Sequence, residues 1–181
     1  GTGSEAGADR NLAALECVHL IPRFLQGALE PDTSTDLFGI RYAAPFGIAP
    51  VGLTGLMWPG AEGILARTAA RYRIPYGLST VATESPESIG PLCDGMGWFQ
   101  LYPPNDPAIR RDLLARARAA GFTTLLVTVD TPAQSRRERQ TRAEVSVPPR
   151  RTWQTYWRAA IRPSWSLATV SHGLPRFRTL E

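Results

Sequence analysis

The sequence predicts an α/β fold with parallel strands, and three observations carry that prediction. Four short apolar segments each end in polar or turn-forming residues, at 46–52, 75–80, 97–102 and 125–130. They recur at intervals of 29, 22 and 28 residues, measured between Ile48, Gly77, Phe99 and Val127. Segments with helical periodicity lie between them, as in successive βα units. Because functional groups at the C-terminal ends of such strands are typical of (β/α)8 enzymes, we expect a TIM (β/α)8 barrel, of which this chain supplies about the first four strands.

The residues before the first strand predict one helix and part of a hairpin. Residues 1–10 are small and polar and predict a loop. A helix is expected from Asn11, a good N-cap, because apolar side chains recur with the spacing of one buried face, at Leu12, Leu15, Val18, and Ile21 or Leu25. Pro22 is expected to bend or end this helix. Residues 36–40 predict a short strand or one arm of a hairpin.

Three helices are predicted between the four strands. Residues 59–72 begin with a proline and carry an inner stripe of Ile64, Leu65, Ala69 and Ala70. Residues 85–89 predict a short capped helix, and a third helix starts at Asp106 and is closed by Gly121.

No helical pattern is evident after the fourth strand, where an Arg-rich stretch predicts a long irregular segment. The predicted division is therefore residues 1–132, an N-terminal helix with the first half of the barrel, and residues 133–181, a loop that serves as a lid or a membrane-associating segment.

The net charge of +4 is unevenly distributed along the chain. All 20 basic residues are Arg, which excludes chemistry that needs a Lys of this chain. Residues 1–132 hold ten Arg and thirteen Asp or Glu, a net of −3, whereas residues 133–181 hold ten Arg and three Glu, a net of +7. Because the barrel-forming part is mildly acidic, no nucleic-acid partner is predicted. The chain has no apolar run long enough to cross a bilayer and no visible signal peptide, so a cytoplasmic protein is expected.

The polar groups at the strand ends suit a planar, hydrogen-bonding cofactor better than a metal ion, and no metal site is predicted. Taken singly, each has an ordinary structural interpretation. Ser79 or Gln100 alone is more often structural than functional, an Asp at a strand end such as Asp130 is usually a cap, and Arg137 alone would be a solvated charge. Their occurrence together, each at a strand end or just after it, favours a shared site.

Four motifs resemble, in order and spacing, the FMN-dependent α-hydroxy-acid dehydrogenases and oxidases, a family that includes glycolate oxidase, lactate dehydrogenases and mandelate dehydrogenase. The motifs are residues 48–52, 78–80, 98–102, and 127–132 followed by 136–138. Phe-Gln-Leu-Tyr and Thr-Val-Asp-Thr-Pro together are highly specific. Residues 50–59 and 162–175 look most like the mandelate dehydrogenase branch. The resemblance implies FMN as cofactor and oxidation of a small 2-hydroxy acid, mandelate-like in its local features, to the 2-oxo acid.

The resemblance implies a cofactor role for six residues. Backbone groups of three consecutive residues would lie along the flavin, and the missing methyl at Gly52 would leave room beside it. Hydroxyl and amide groups from the next three strand ends would hydrogen-bond the flavin. The implied cofactor-binding residues are Pro50, Val51, Gly52, Ser79, Gln100 and Thr128.

The resemblance also implies three catalytic residues. Tyr102 would direct its hydroxyl toward the oxygen atoms of the substrate, and Arg137 would clamp the substrate carboxylate. Asp130 would stabilise a catalytic His in its protonated form. His172 lies in a Ser-His-Gly sequence similar to the family's catalytic motif, but no buried strand precedes it. We therefore predict His172 to be a loop residue.

In the family the second half of the barrel supplies the catalytic His and the loops that hold the FMN phosphate, and this chain resembles the N-terminal half only. We expect the chain to be inactive alone and to associate with the C-terminal half of the barrel or with another copy. The complete protein is expected to be a homo-oligomer.

The aromatic residues near the C-terminus alternate with Arg. They are Trp153, Tyr156, Trp157 and Trp165. In the mandelate dehydrogenase branch the matching segment is associated with membrane attachment, which implies peripheral binding to the inner face of the membrane. A basic, mobile active-site lid is the alternative. A rival function is a non-catalytic half barrel that binds through this basic, aromatic tail.

Overall fold

The computed structural model describes residues 3–28, 30–129, 138, 152–173 and 176–180. The chain divides into two compact units. One comprises Gly1–Pro31 with Thr131–Arg158, and the other comprises Asp32–Asp130 with Ala159–Glu181. The predicted boundary at residue 132 stays a prediction.

The described elements are helices and short strands. In chain order they are α1 (Ala6–Glu16), β1 (Thr35–Leu37), β2 (Ile40–Tyr42), α2 (Thr54–Met57), α3 (Ala61–Tyr72), β3 (Tyr76–Ser79), α4 (Pro86–Ile89), β4 (Gly97–Leu101), α5 (Pro107–Ala119), β5 (Thr124–Val127), α6 (Trp153–Ala160) and α7 (Pro163–His172). Helices and strands alternate from α3 to β5, and short 3₁₀ turns occupy Gly90–Leu92 and Arg178–Leu180.

Three of the four predicted strands form a parallel sheet. The order is β3-β4-β5, with Ser79 paired to Gln100 and Leu101 paired to Val127. Sequential strands are therefore neighbours, as is common for successive βα units. This confirms an α/β fold, and within the described residues the sheet does not close into a barrel.

The first predicted strand is reduced to a single parallel bridge between Ile48 and Tyr76. Its backbone still runs beside β3, since Ile48 N donates to Pro75 O at 2.8 Å and Gly77 N donates to Ile48 O at 2.9 Å. Pro50 has no N–H to extend this ladder. The close approach needs Gly77, because a Cβ there would lie 2.8 Å from Pro50 Cδ.

Residues 36–40, predicted to be a short strand or one arm of a hairpin, instead form the tip of the β1–β2 hairpin. Phe38 and Gly39 both have positive φ, 53° and 77°, as a two-residue type I′ turn requires. The hairpin packs on the sheet through Tyr42, whose hydroxyl accepts a hydrogen bond of 2.9 Å from Trp98 Nε1.

The two predicted caps are correct, whereas the buried face of α3 differs from the prediction. Ser85 and Asp106 accept hydrogen bonds from backbone N–H groups of α4 and α5. On α3 the buried positions are Glu62, Gly63, Ala66 and Ala69, and Ile64 is exposed. A stripe chosen by hydrophobicity alone missed Glu62, because a charged residue is seldom fully buried.

The N-terminal helix also differs from the prediction. Helix α1 begins at Ala6 rather than Asn11, since alanines in this stretch favour the helix. None of its residues is buried. Leu12, Leu15 and Val18, predicted to form a buried face, are exposed.

The segment predicted to be irregular contains α6 and α7. In α6, Trp153 and Trp157 lie one turn apart with ring centroids at 5.8 Å, and Pro163 occupies the first turn of α7. The Arg-rich composition obscured this helical spacing. His172 is the last residue of α7, so the prediction of a loop was wrong there. Among the described residues no helix has the length and hydropathy to span a membrane.

Arg116 joins α5 to α4 and to the C-terminal 3₁₀ turn. Its Nε lies 2.6 Å from Glu87 Oε1, and its Nη1 donates to Thr179 O at 3.0 Å. The fully buried Thr179 donates from its hydroxyl to Glu84 O at 3.1 Å. The hydrogen bond from Arg116 lowers the pKa of Glu87 to about 2, below its ordinary value of 4.5.

We predict that Glu87→Gln removes a pH-dependent part of the stability. Because the folded-state pKa is lowered, the ionised carboxylate stabilises the fold above about pH 4.5, and this contribution is lost as the pH falls toward 2. Both side chains are partly exposed, so the effect should stay below about 1 kcal/mol. Urea unfolding at pH 7 and pH 3 measures it.

The matched control is Asp112→Asn, whose carboxylate lies 3.7 Å from the same guanidinium. Between pH 7 and pH 3 the Glu87→Gln protein should lose less stability than either the wild type or the control. An unchanged pH dependence in Glu87→Gln would show that the Glu87–Arg116 pair does not contribute.

Candidate functional site

A row of hydrogen-bonded polar side chains crosses the C-terminal end of the parallel sheet. Ser79 Oγ donates to Gln100 Oε1 at 2.8 Å, and Gln100 Nε2 donates to Thr128 Oγ1. Ser79 ends β3, Gln100 lies in β4, and Thr128 follows β5. The register of the sheet therefore brings together three residues that are 21 and 28 positions apart in sequence.

The three side chains of the row differ in their capacity to hydrogen-bond a further molecule. The Ser79 hydroxyl gives its proton to Gln100 and accepts a bond of 3.3 Å from Val81 N. Gln100 Nε2 carries a second N–H, and the Thr128 hydroxyl keeps its own proton, because it accepts from Gln100. Gln100 and Thr128 can thus donate to a ligand, whereas Ser79 orients the amide of Gln100.

Thr80 is a member of the site that the sequence analysis missed. Its buried hydroxyl donates to Gln100 O and accepts from Tyr102 N at 3.1 Å. It therefore holds the backbone at the end of β4, from which the half-exposed side chain of Tyr102 extends. In the sequence, the feature that could have indicated Thr80 is its position directly after Ser79, at the end of a buried strand.

The backbone of residues 50–52 lies beside the end of β3. Leu53 N donates to Val81 O at 2.9 Å, and Thr54 Oγ1 donates to Val51 O at 2.8 Å. Val51 and Gly52 are exposed. This segment therefore borders the same end of the sheet as the polar row, with the backbone of Gly52 accessible to a ligand.

The structure corrects the interpretation of Gly52. A Cβ at this position would lie 2.7 Å from Val81 Cγ2. The space left by the missing methyl is occupied by Val81, so it is not room beside a cofactor. Gly52 is explained by the close approach of the loop after β3.

Two of the predicted catalytic residues, Asp130 and Arg137, lie outside the described residues, so their roles stay predictions. The remaining members of the predicted set, Tyr102 and the six cofactor residues, gather at one end of the sheet. In the part of the chain that the structure describes, no group of three or more His, Cys, Asp or Glu side chains could hold a metal ion.

A cavity of about 310 Å³ lies between the β1–β2 hairpin and the sheet, and of the six predicted cofactor residues Pro50 alone lines it. Its lining is largely apolar and includes Tyr42, Phe46, Ile48 and Trp98. The polar row does not line it. A cofactor with many hydrogen-bonding groups fits the row at the strand ends better than this apolar cavity.

Comparison with known proteins identifies related sequences. A family model described as FMN-dependent dehydrogenase matches residues 1–179. L-lactate dehydrogenase of Ectopseudomonas mendocina (strain ymp) is 40% identical over 178 residues, which cover 97% of this chain and 46% of that protein. L-lactate dehydrogenase of Caulobacter vibrioides (strain NA1000 / CB15N) is 40% identical over 169 residues, or 92% of this chain and 43% of that protein.

Solved structures give a consistent result. The crystal structure of the monotopic membrane protein (S)-mandelate dehydrogenase matches with a TM-score of 0.88 at 31% identity, over 98% of this chain and 47% of that one. Mandelate oxidase matches with a TM-score of 0.74 at 38% identity, over 81% of this chain and 42% of that one. The chain thus spans about half the length of the curated relatives it matches.

We predict that Gly52→Ala destabilises the protein, because the new methyl would press on Val81 Cγ2. Overpacking of this kind costs about 1–3 kcal/mol. Val81→Ala in the same chain removes the obstructing methyl and should restore most of the loss, as measured by the free energy of unfolding. Equal stability of Gly52→Ala with and without Val81→Ala would contradict this explanation of the glycine.

Proposed function

This chain belongs to the FMN-dependent dehydrogenase family, and we propose that it is the cofactor-binding N-terminal half of an enzyme that oxidises a small 2-hydroxy acid to the 2-oxo acid. The cofactor of this family is FMN. We further propose that the Ile48 segment, β3, β4 and β5 are the first four strands of a TIM barrel. The observation that carries the proposal is the row of Ser79, Gln100 and Thr128 at the strand ends.

The residues at this end of the sheet fit a flavin. A flavin edge presents carbonyl oxygens and ring nitrogens, and the row offers it an amide N–H from Gln100 and a hydroxyl from Thr128. Gly52 is exposed and has no side chain, so its backbone can lie against a flat ring. When bound, FMN supplies the acceptor for the two electrons that leave the substrate.

The substrate side of the proposal uses residues around the same end. Tyr102, which is half-exposed, would direct its hydroxyl toward an oxygen atom of the substrate and donate a hydrogen bond to it. Arg137 would bind the carboxylate with two parallel hydrogen bonds, which orients the α-carbon. Asp130 would stabilise the protonated form of a His supplied by the rest of the protein.

The choice of 2-hydroxy acid is a finer proposal. We propose an aromatic, mandelate-like substrate, which is supported by the structural match to (S)-mandelate dehydrogenase and by the local likeness of residues 50–59. L-lactate is the competing substrate, since lactate dehydrogenases share 40% identity with this chain. The ratio of kcat/KM for the two acids separates them.

We propose that the remaining strands of the barrel are the partner of this chain. β5 is the last strand of the described sheet, and Leu125 and Val127 are half-exposed on it. Among the described residues β5 pairs only with β4, and an open strand edge favours pairing with another strand. The 181-residue chain alone is therefore expected to lack activity, and the complete protein is proposed to be a homo-oligomer.

We also propose that α6 associates with the inner face of the membrane. Trp153, Tyr156 and Trp157 are exposed on it, and aromatic side chains favour the lipid–water interface. The related (S)-mandelate dehydrogenase is a monotopic membrane protein. Trp165 does not contribute, because its Nε1 donates to Leu56 O at 3.2 Å and its side chain is partly buried.

Sedimentation with vesicles that contain anionic lipid tests the membrane proposal. Trp153→Ser combined with Trp157→Ser should reduce the bound fraction of the full-length protein, because the interfacial side chains are lost. Trp58→Ser, at another half-exposed Trp, is the control and should bind like the wild type. Equal binding of all three proteins to the vesicles would contradict membrane association through α6.

The proposed function predicts that the full-length protein purifies with FMN and oxidises 2-hydroxy acids. Gln100→Leu removes the central amide of the row at similar volume and should lower the FMN content, measured by flavin absorbance per chain. Gln26→Leu, at an exposed glutamine, is the matched control. A full-length protein without flavin, which cannot be loaded with FMN, would overturn the proposal and favour a non-catalytic binding module.

The substrate side has its own pair of variants in the loaded enzyme. Arg137→Met should lower kcat/KM by about 100-fold or more, because a lost partner of a carboxylate costs several kcal/mol. Arg136→Met, one residue away, should change it much less. Equal effects of the two substitutions would show that the assignment of Arg137 is wrong.

A further inference from the structure

Glu62 is a charged residue that no part of the proposed chemistry uses, and it is fully buried in the first turn of α3. Its Oε1 accepts three hydrogen bonds. They come from Gly55 N at 3.2 Å, Thr83 N at 3.0 Å and Thr83 Oγ1 at 2.7 Å. A single carboxylate oxygen therefore joins α2, α3 and the loop after β3.

The contact between α2 and this loop is close. A Cβ on Gly55 would lie 2.1 Å from Thr83 Oγ1, so a glycine is needed to let the two backbones approach the same oxygen atom. Glu62, Gly55 and Thr83 form one unit, which we call the Glu62 clamp.

The Glu62 clamp is connected through short stretches of chain to the segment that we propose to face the flavin. Gly55 follows Gly52 by three residues, and Thr83 follows Val81 by two. Between these positions Leu53 N donates to Val81 O at 2.9 Å, and Thr54 Oγ1 holds Val51 O at 2.8 Å. A shift of Gly55 relative to Thr83 would therefore displace the exposed residues Val51 and Gly52.

The energetic cost of Glu62 argues against a purely space-filling role. Its neighbours on the buried face of α3, Ala66 and Ala69, are apolar. The Oε2 atom of Glu62 is buried and has no hydrogen-bond partner among the described residues, which costs free energy. The helix N-terminus offsets part of the cost of burying a negative charge.

We propose that Glu62 is a positioning residue that sets the backbone of residues 50–52 against the flavin, an inference that rests on the proposed function. Because its side chain is fully buried, Glu62 acts through Gly55 and Thr83 and not by touching the cofactor. Its removal should therefore change how FMN is held in a protein that remains folded.

A matched pair of threonine variants in the full-length protein tests this. Thr83→Val removes the hydroxyl bond to the Glu62 carboxylate, and Thr179→Val removes the hydroxyl bond to the backbone oxygen of Glu84, at two buried threonines. Both should lower the melting temperature, and Thr83→Val should lower it more because its bond goes to a carboxylate. Only Thr83→Val should weaken FMN binding. The expected increase in Kd is about tenfold, which corresponds to the loss of one hydrogen bond to a charged group.

A second pair tests the carboxylate directly. Glu62→Gln keeps an oxygen that can accept the three hydrogen bonds, so its Kd for FMN should stay within about threefold of the wild type. Glu62→Met has similar length and no acceptor, and should bind FMN at least as weakly as Thr83→Val. The readouts are titration of the flavin-free protein with FMN and the visible absorption spectrum of the bound flavin.

The outcomes separate the two proposals. If the wild type binds FMN and Thr83→Val binds it as tightly as Thr179→Val does, the positioning role is overturned and the proposed function stands. If Glu62→Met folds and binds FMN like Glu62→Gln, the positioning role is likewise overturned. If the wild type binds no FMN, both proposals fail together.

Discussion

The parallel register of β3, β4 and β5 is the constraint from which the rest of the site follows. Side chains alternate between the two faces of a strand, so a slip of one residue would exchange the faces. In the observed register the paired Leu78 and Phe99 are buried in the core, and the next pair, Ser79 and Gln100, joins the polar row. Burial of the apolar pair thus holds the polar pair in position.

Hydrogen bonding makes this polar row compatible with burial. Ser79 and Gln100 are almost completely buried, and a polar group without a partner would be costly there. Ser79 and Gln100 are hydrogen-bonded to each other. The Thr80 hydroxyl provides hydrogen-bond partners for two backbone groups at the end of β4, Gln100 O and Tyr102 N. The row is consequently ordered before any ligand arrives, and preorganised donors lose less free energy on binding.

Close approaches between backbones supply a second level of organisation. Gly77 lets Pro50 lie against β3, and Gly55 lets α2 reach Thr83. The segment at 50–52 therefore joins the end of the sheet without forming a strand of its own. Its position depends on bonds from Leu53, Thr54 and the Glu62 clamp, which is why a residue remote from the surface bears on a surface site.

Local sequence signals accounted for β3, β4 and β5, the caps at Ser85 and Asp106, and the residues of the polar row. Each depends on short-range chemistry, such as an apolar run with a polar end or a side chain that caps a helix. The same signals failed where composition concealed periodicity, as in α6, whose helical spacing lies within an Arg-rich stretch.

Burial depends on contacts between residues far apart in the chain, and there the local pattern was insufficient. The apolar spacing of α1 predicted a buried face that the structure leaves exposed, and the inner face of α3 includes a glutamate in place of an isoleucine. The sequence alone located β3, β4 and β5 and the polar residues at their ends. Only the tertiary structure shows that Val81 lies against Gly52 and that Thr83 binds Glu62. The physical reason is that Val81 and Thr83 belong to the loop after β3, which is distant in sequence from both residues and meets them by packing.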